Sequence, residues 1–211
     1  MNDIKFFSAL GIPAINFLYD FIMIISGLGY GFKKKIFDIA EINLNEKVVA
    51  DIGCGTGTQL KVIMEMYFPT KVYAIEPDDS MLNRCRKNLN KSNKSIKYIG
   101  AVAEETTLQN SEIDVCVSTL MAHHLTTDKK KEMAKEIFRI LKPGGHFILT
   151  DWGKLRFEFI KYLLVFEKQD LLKDNINGNL LIFLQDAGFV IKKHQKMKWS
   201  GIYTTVFMKP E

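Results

Sequence analysis

From Lys47 onward, short apolar runs alternate with longer stretches whose apolar residues recur at helical spacing. Val48–Ile52 is a compact, mostly apolar run of the kind that forms a strand buried on both faces. The next stretch predicts a helix over Thr58–Met66, ended near Pro69 because proline cannot continue it. The same logic predicts a strand over Lys71–Ile75, a helix over Asp78–Asn90, and strands over Ile96–Ile99 and Ile113–Ser118. Over Asp128–Leu141 the residues Ala134, Ile137, Phe138 and Leu141 share one helical face. Lys142-Pro143-Gly144-Gly145 stops that helix and turns into a strand over His146–Asp151. A helical region over Leu155–Leu172, a helix over Leu180–Gly188, and strands over Phe189–Lys193 and Tyr203–Lys209 complete the pattern.

Strands alternating with helices dictate a parallel sheet covered on both faces. The expected fold is α/β, a Rossmann-like doubly wound sheet of seven strands with an antiparallel last strand. The last two strands are too close for a crossover helix, so they pair antiparallel. Such a sheet binds its ligand at the carboxyl ends of the strands, beside the first strand at the switch point. Residues 46–211 form this domain, and residues 1–45 an N-terminal helical lid or extension.

The N-terminal run over residues 9–32 is strongly apolar but interrupted by Pro13, Asn16 and Asp20. Its longest charge-free part, Phe21–Phe32, is shorter than the ~20 residues that span a bilayer. No basic n-region or clear cleavage site marks it as a signal peptide. It reads as a lid or packing helix, with an interfacial membrane helix as the alternative. The net charge of +5 is mild and the lysines are scattered. Lys33-Lys34-Lys35 and Lys129-Lys130-Lys131 are expected to be solvated faces, since neither is interleaved with aromatics as a nucleic-acid surface is. Cys54, Cys85 and Cys116 have no CxxC spacing and form an odd set, which points to reduced packing residues and a cytoplasmic setting.

Candidate chemistry concentrates after the first strand. Gly53, Gly55 and Gly57 connect a strand directly to a helix, where glycine allows a tight turn and close approach of a ligand to the backbone. The helix start offers free N–H groups. Glu76 ends the second strand, 19 residues after Gly57, where a carboxylate can accept both ribose hydroxyls. A dinucleotide fingerprint needs a third glycine at position 58, which is Thr58; the third glycine is Gly57. Asp51 beside the loop suits a ligand bearing an ammonium and a sulfonium, and opposes a pyrophosphate. The spacing and charge favour S-adenosylmethionine over a nicotinamide dinucleotide.

Four segments together resemble a known family. Asp51-Ile52-Gly53-Cys54-Gly55-Thr56-Gly57, Glu76-Pro77-Asp78-Asp79-Ser80-Met81-Leu82, Ala101-Val102-Ala103-Glu104 and Leu141-Lys142-Pro143-Gly144-Gly145 are similar, in this order, to successive motifs of class I S-adenosylmethionine-dependent methyltransferases. The similarity runs from about Tyr19 to the C-terminus and is greatest toward the ubiquinone/menaquinone-biosynthesis group. The resemblance implies that the backbone around Gly53, Cys54 and Gly55 holds the methionyl part, with Asp51 near its ammonium. It implies that Glu76 binds the ribose and that Pro77 and Met81 line the adenine pocket. Many relatives carry Asp or Asn where this chain has Val102, which cannot bond the adenine amino group. Glu104, the Ala103 backbone N–H or apolar contact alone then holds adenine. Ser118 and Thr119 are expected to flank the cofactor where it meets the substrate.

Methyl transfer displaces a good thioether leaving group, so positioning and desolvation carry much of the catalysis. A phenol or acidic carbon also needs a base. His123 and His124 follow the fourth strand and are the candidates, histidine being the side chain that changes charge near neutrality. Packing or a loop hydrogen bond is the alternative for each. Tyr19, with Asp20, covers the cofactor in similar sequences and is the third catalytic candidate. Trp152 and the aromatic segment with Phe157, Phe159, Tyr162 and Phe166 lie where family members build the substrate wall. Two adjacent histidines with no third ligand at useful spacing do not make a metal site.

The expected function is methyl transfer from S-adenosylmethionine to a small, apolar or amphipathic molecule through O, N, S or an activated carbon, without a nucleic-acid partner. A phospholipid or membrane-quinone acceptor, with peripheral membrane contact through the N-terminal segment, is one alternative. A non-catalytic S-adenosylmethionine-binding protein is another.

Overall fold

The computed structural model describes residues 27–89, 96–154, 169–197 and 201–211. Its helices are α1 (Tyr30–Ala40), α2 (Thr58–Met66), α3 (Asp79–Leu89), α4 (Thr127–Ile140), α5 (Gln169–Asn177) and α6 (Asn179–Asp186). Its strands are β1 (Val48–Ile52), β2 (Lys71–Ile75), β3 (Ile96–Ile99), β4 (Ile113–Thr119), β5 (Leu141–Trp152), β6 (Val190–Lys196) and β7 (Ile202–Met208).

The strands form one sheet in the order β3-β2-β1-β4-β5-β7-β6. Every pair from β3 across to β5 is parallel. β7 runs antiparallel to both β5 and β6, so it alone is reversed. The order turns back between β1 and β4, which opens a crevice at their carboxyl ends. The doubly wound sheet with a reversed last strand is the fold that the alternation of elements predicts.

Successive residues of each strand face opposite sides, and the core divides accordingly. Val49, Val72, Val117, Ile148 and Val206 pack with Ile36 and Phe37 of α1, Leu60 and Ile63 of α2, and Leu82 and Cys85 of α3. Ala50, Tyr73, Cys116, Phe147 and Phe207 pack with Met133, Ile137 and Ile140 of α4 and Leu180 and Leu184 of α6. Each such large apolar side chain contributes about 1.5–3 kcal/mol by leaving water.

Several boundaries differ from expectation. Asp78 caps α3 from outside it: Oδ1 accepts from the backbone N–H groups of Ser80 at 2.9 Å and Met81 at 3.0 Å. β5 starts at Leu141, five residues early, because its register with β4 shifts between Ile113 and Val115 to accommodate the Pro143-Gly144-Gly145 bulge. The predicted helix over Leu155–Leu172 falls largely on residues 155–168, outside the described residues; α5 continues to Asn177. β6 extends three residues past Lys193. The N-terminal lid expected over 1–45 is described only from residue 27, as α1 and its flanks. Lys33 overturns the expectation of a solvated lysine face: it is 8% exposed, turned inward on α1.

Candidate active site

The glycine loop is folded onto β2. The backbone N–H groups of Gly53 and Cys54 both donate to the Ile75 carbonyl, at 2.9 and 3.0 Å. Gly57 takes φ +86°, and a Cβ there would lie 2.7 Å from the Cys85 Sγ and 3.1 Å from Leu89 Cδ1. Glycine is therefore required both by conformation and by contact. Glu76 braces the loop: Oε2 accepts from the Gly55 N–H at 3.0 Å and Oε1 from the Asp78 N–H at 3.1 Å. Burial raises the Glu76 carboxyl above its ordinary range, and these two hydrogen bonds oppose that rise.

Between the loop, α1 and the start of α2 lies a cavity of about 360 Å³. Asp51 reaches it from β1, 1% exposed, with Oδ2 buried and without a hydrogen-bond partner. Gln59, on the first turn of α2, spends Oε1 on the Thr119 hydroxyl at 3.2 Å. Its Nε2 is buried and unpartnered. Lys33 lines the same cavity from α1. Burial pushes the Asp51 carboxyl up to about 7, with Lys33 opposing and Glu76 adding to the rise. Burial brings the Lys33 ammonium down to about 8, with Asp51 and Asp151 opposing. One unsatisfied carboxylate oxygen thus faces an ammonium and an unsatisfied amide donor. That donor set matches an α-amino acid zwitterion, the terminal group of the methionyl part of S-adenosylmethionine.

Of the expected cofactor residues, Asp51, Gly53, Cys54, Gly55, Gly57 and Thr119 line this cavity. Glu76, Pro77, Met81, Val102, Ala103, Glu104 and Ser118 lie outside its lining. Ser118 is fully buried and donates its hydroxyl to the Ile52 carbonyl at 3.0 Å, joining β4 to the end of β1. Val102 forms a bridge with Glu105. Glu104 pairs through Oε1 with Lys129 at 2.9 Å, and its Oε2 is buried without a partner. Met81 is buried on α3.

The histidines follow β4 on a short 3-10 turn, Ala122–His124. His123 Nδ1 lies 2.8 Å from Asp151 Oδ1, and its backbone N–H donates to Oδ2 at 3.2 Å. The Trp152 N–H donates to Oδ1 at 2.7 Å. Burial alone would raise the Asp151 carboxyl, but His123 and these donors outweigh it and hold the group below its usual range. A carboxylate on Nδ1 fixes the proton there and leaves Nε2 of the neutral ring as the acceptor. The His124 ring lies 4.0 Å from that of His123, tilted by 42°. Tyr19 lies outside the described residues. Among the described residues no group of three metal-binding side chains assembles.

Lys33, Gln59 and Asp151 escape the sequence reading. Asp151 alone had a usable signal, an acid at the carboxyl end of a central strand. Lys33 sits in a lysine run whose members look alike until the helix assigns them faces.

Residues 50–149 match the family described as "Methyltransferase domain". Among curated proteins, a tRNA (carboxymethyluridine(34)-5-O)-methyltransferase of Macaca fascicularis is 28% identical over 132 residues, 62% of this chain and 18% of that protein. The ubiquinone/menaquinone biosynthesis C-methyltransferase of Wigglesworthia glossinidia brevipalpis is 26% identical over 151 residues, 70% of this chain and 60% of that protein. The chain therefore spans less than two thirds of the length of these relatives. Among solved structures, Haemonchus contortus phosphoethanolamine N-methyltransferase 2 with S-adenosylhomocysteine superimposes at a TM-score of 0.72 and 16% identity, over 96% of this chain and 58% of that one. Residues 50–149 thus carry a methyltransferase domain, and the chain is similar to class I S-adenosylmethionine-dependent methyltransferases. The cofactor of that class is S-adenosylmethionine, and the cavity beside the glycine loop fits its amino-acid end.

Proposed function

We propose that this chain methylates a small, apolar or amphipathic molecule, with His123 accepting the acceptor's proton and Asp151 orienting His123. The observation that carries this reading is the His123–Asp151 pair, a half-buried ring on a buried carboxylate, at the carboxyl end of β5. That end is one strand away from Thr119 of the cofactor cavity, because Thr119 pairs with Thr150. S-adenosylmethionine supplies an electrophilic methyl group on a sulfonium. Asp51 would take its ammonium, and Lys33 and Gln59 its carboxylate. Glu76 keeps free lone pairs for ribose hydroxyls beyond the two backbone bonds it makes. Pro77 and Met81 would line adenine, with the Ala103 N–H or the open Glu104 Oε2 replacing the polar contact that Val102 lacks. Cys54, Gly53, Gly55, Gly57 and Ser118 shape the backbone around these groups. Tyr19, within an N-terminal extension over 1–45, would cover the cofactor, and His124 would face the substrate beside His123.

The acceptor atom is left as O, N, S or activated carbon, and the setting is cytoplasmic. An acceptor held at a membrane surface is the second reading, favoured by the apolar run over residues 9–32. Among the described residues no helix is long and apolar enough to cross a membrane. Incubation with labelled S-adenosylmethionine and fractionated extract, followed by mass identification of the labelled product, tests the function. Label appearing in a small molecule supports it, and label confined to RNA overturns it. Co-sedimentation with liposomes decides between the two settings.

A further inference from the structure

A second cavity, of about 250 Å³, opens between the carboxyl end of β5, the β6–β7 pair and the junction of α5 with α6. Asn175 of α5 lines it and is 3% exposed, yet neither Nδ2 nor Oδ1 has a hydrogen-bond partner. A buried amide with both ends unsatisfied is rare in a folded chain, because each unpaired group keeps its desolvation cost. Among the described side chains of α5 no other shows such a lapse. Its neighbour Asp174 accepts from Thr127 at 2.7 Å and from Asn179 at 3.1 Å. The defect is confined to the side chain that borders the cavity.

Part of the wall is flat and aromatic, and its charged members, Asp151 and Lys154, are of opposite sign. His194 and Tyr203 stack with ring centroids 4.9 Å apart and planes 7° apart. His194 also bonds the Thr205 hydroxyl through Nδ1 at 2.8 Å, and burial keeps its ring toward the neutral form. Gly153 leaves room for the Tyr203 ring, since a Cβ there would lie 2.6 Å from it. Trp152 and Leu180 add apolar surface. Asp151 lines this cavity too, and it is the carboxylate that holds His123.

We propose that this cavity takes a flat, uncharged ring carrying a hydrogen-bond donor beside an acceptor, as in a lactam or a hydroxyl next to a carbonyl, and that Asn175 reads that edge. A side-chain amide presents one acceptor and two donors in a plane, so it pairs with such an edge in two hydrogen bonds. The aromatic stack and the leucine surface suit the ring itself. The proposal rests on the methyltransferase reading in one respect: the ligand is taken to be the methyl acceptor, delivered beside His123.

The probes are 2-quinolone, which has the paired donor and acceptor, and 1-methyl-2-quinolone, which has lost the donor. Both are titrated by calorimetry into the full chain saturated with S-adenosylhomocysteine, and the side-chain amide resonance of Asn175 is followed by NMR. The expected result is a preference of about 10-fold or more for 2-quinolone, the scale of one good hydrogen bond to a buried partner. The Asn175 resonance shifts with it. Asn175→Leu abolishes the preference, Asn175→Asp keeps it because its carboxylate still accepts from the lactam N–H, and both leave S-adenosylhomocysteine affinity unchanged. Equal binding of the two probes by the wild-type chain overturns the proposal, as does a preference that survives in Asn175→Leu. Should the variants fold poorly, an Asn175 resonance that 2-quinolone does not move overturns it alone. Failure of S-adenosylhomocysteine to bind the wild-type chain sinks the methyltransferase reading instead, and leaves the quinolone comparison to judge the cavity by itself.

Discussion

Lys33 and Asp51 oppose each other across the cofactor cavity, and each is shifted toward its neutral form by burial. Asp51 has a folded value above its ordinary one, so protonation returns below about 7 and removes the acceptor for a ligand ammonium. Lys33 has a folded value below its ordinary one, so its charge is lost above about 8 and with it the attraction for a ligand carboxylate. The affinity for S-adenosylhomocysteine is therefore expected to peak between these values and fall on both sides, as calorimetry across neutral pH will read. Glu76 raises Asp51 further and Asp151 supports the Lys33 charge, so both move a limb upward in pH without reversing it. Lys33→Met is expected to flatten the basic limb and weaken binding about 10-fold near neutrality, the loss of one charge-assisted hydrogen bond. Outside the cofactor cavity, His123→Ala is expected to lower kcat by about 10²–10⁴ while the affinity for S-adenosylhomocysteine holds. Steady-state rates on the identified acceptor check this; an unchanged kcat removes His123 from the chemistry.

Among the elements, the junction of α4, α5 and α6 depends on one buried ion pair. Lys130 is fully buried and bonds the Leu171 carbonyl and Asp174, whose carboxylate also accepts from Thr127 and Asn179. Asp174→Ala leaves a buried ammonium uncompensated and is expected to cost about 3 kcal/mol, read as a lower urea midpoint. The Lys129-Lys130-Lys131 run looks uniform along the chain, yet its middle member is interior. Strand cores were legible in the sequence, because a parallel sheet buried on both faces demands continuous apolar runs. Helix ends were less so. Asp78 reads as a first helical residue by composition but acts as a cap, a distinction made by its side chain turning back on Ser80 and Met81. The helical segment expected over residues 1–45 had no bounds for α1, because its inward positions Lys33, Ile36, Phe37, Ile39 and Ala40 overlap a lysine run that masks the periodicity.

For the molecule as a whole, ligand binding and folding are linked. S-adenosylhomocysteine at 100 times its Kd is expected to add about 2.7 kcal/mol of stability. For a chain of this size that raises Tm by roughly 5–10 °C, and NAD at the same concentration leaves it unmoved. The order of elements, the glycine loop and the cofactor class were all readable from the chain alone, because periodicity, turn chemistry and a five-residue motif are local properties. The pairs that do the proposed chemistry were not. His123 and Asp151 are 28 residues apart and meet only because β4 and β5 lie side by side with their carboxyl ends together. Lys33 shares a cavity with Asp51 because α1 packs on the face of the sheet beside α2, and Asn175 stands unpaired on α5 where that helix packs near the end of β5. Hydrophobic pattern specifies which residues enter the sheet; the meeting of distant polar groups follows from strand order, which no local pattern encodes.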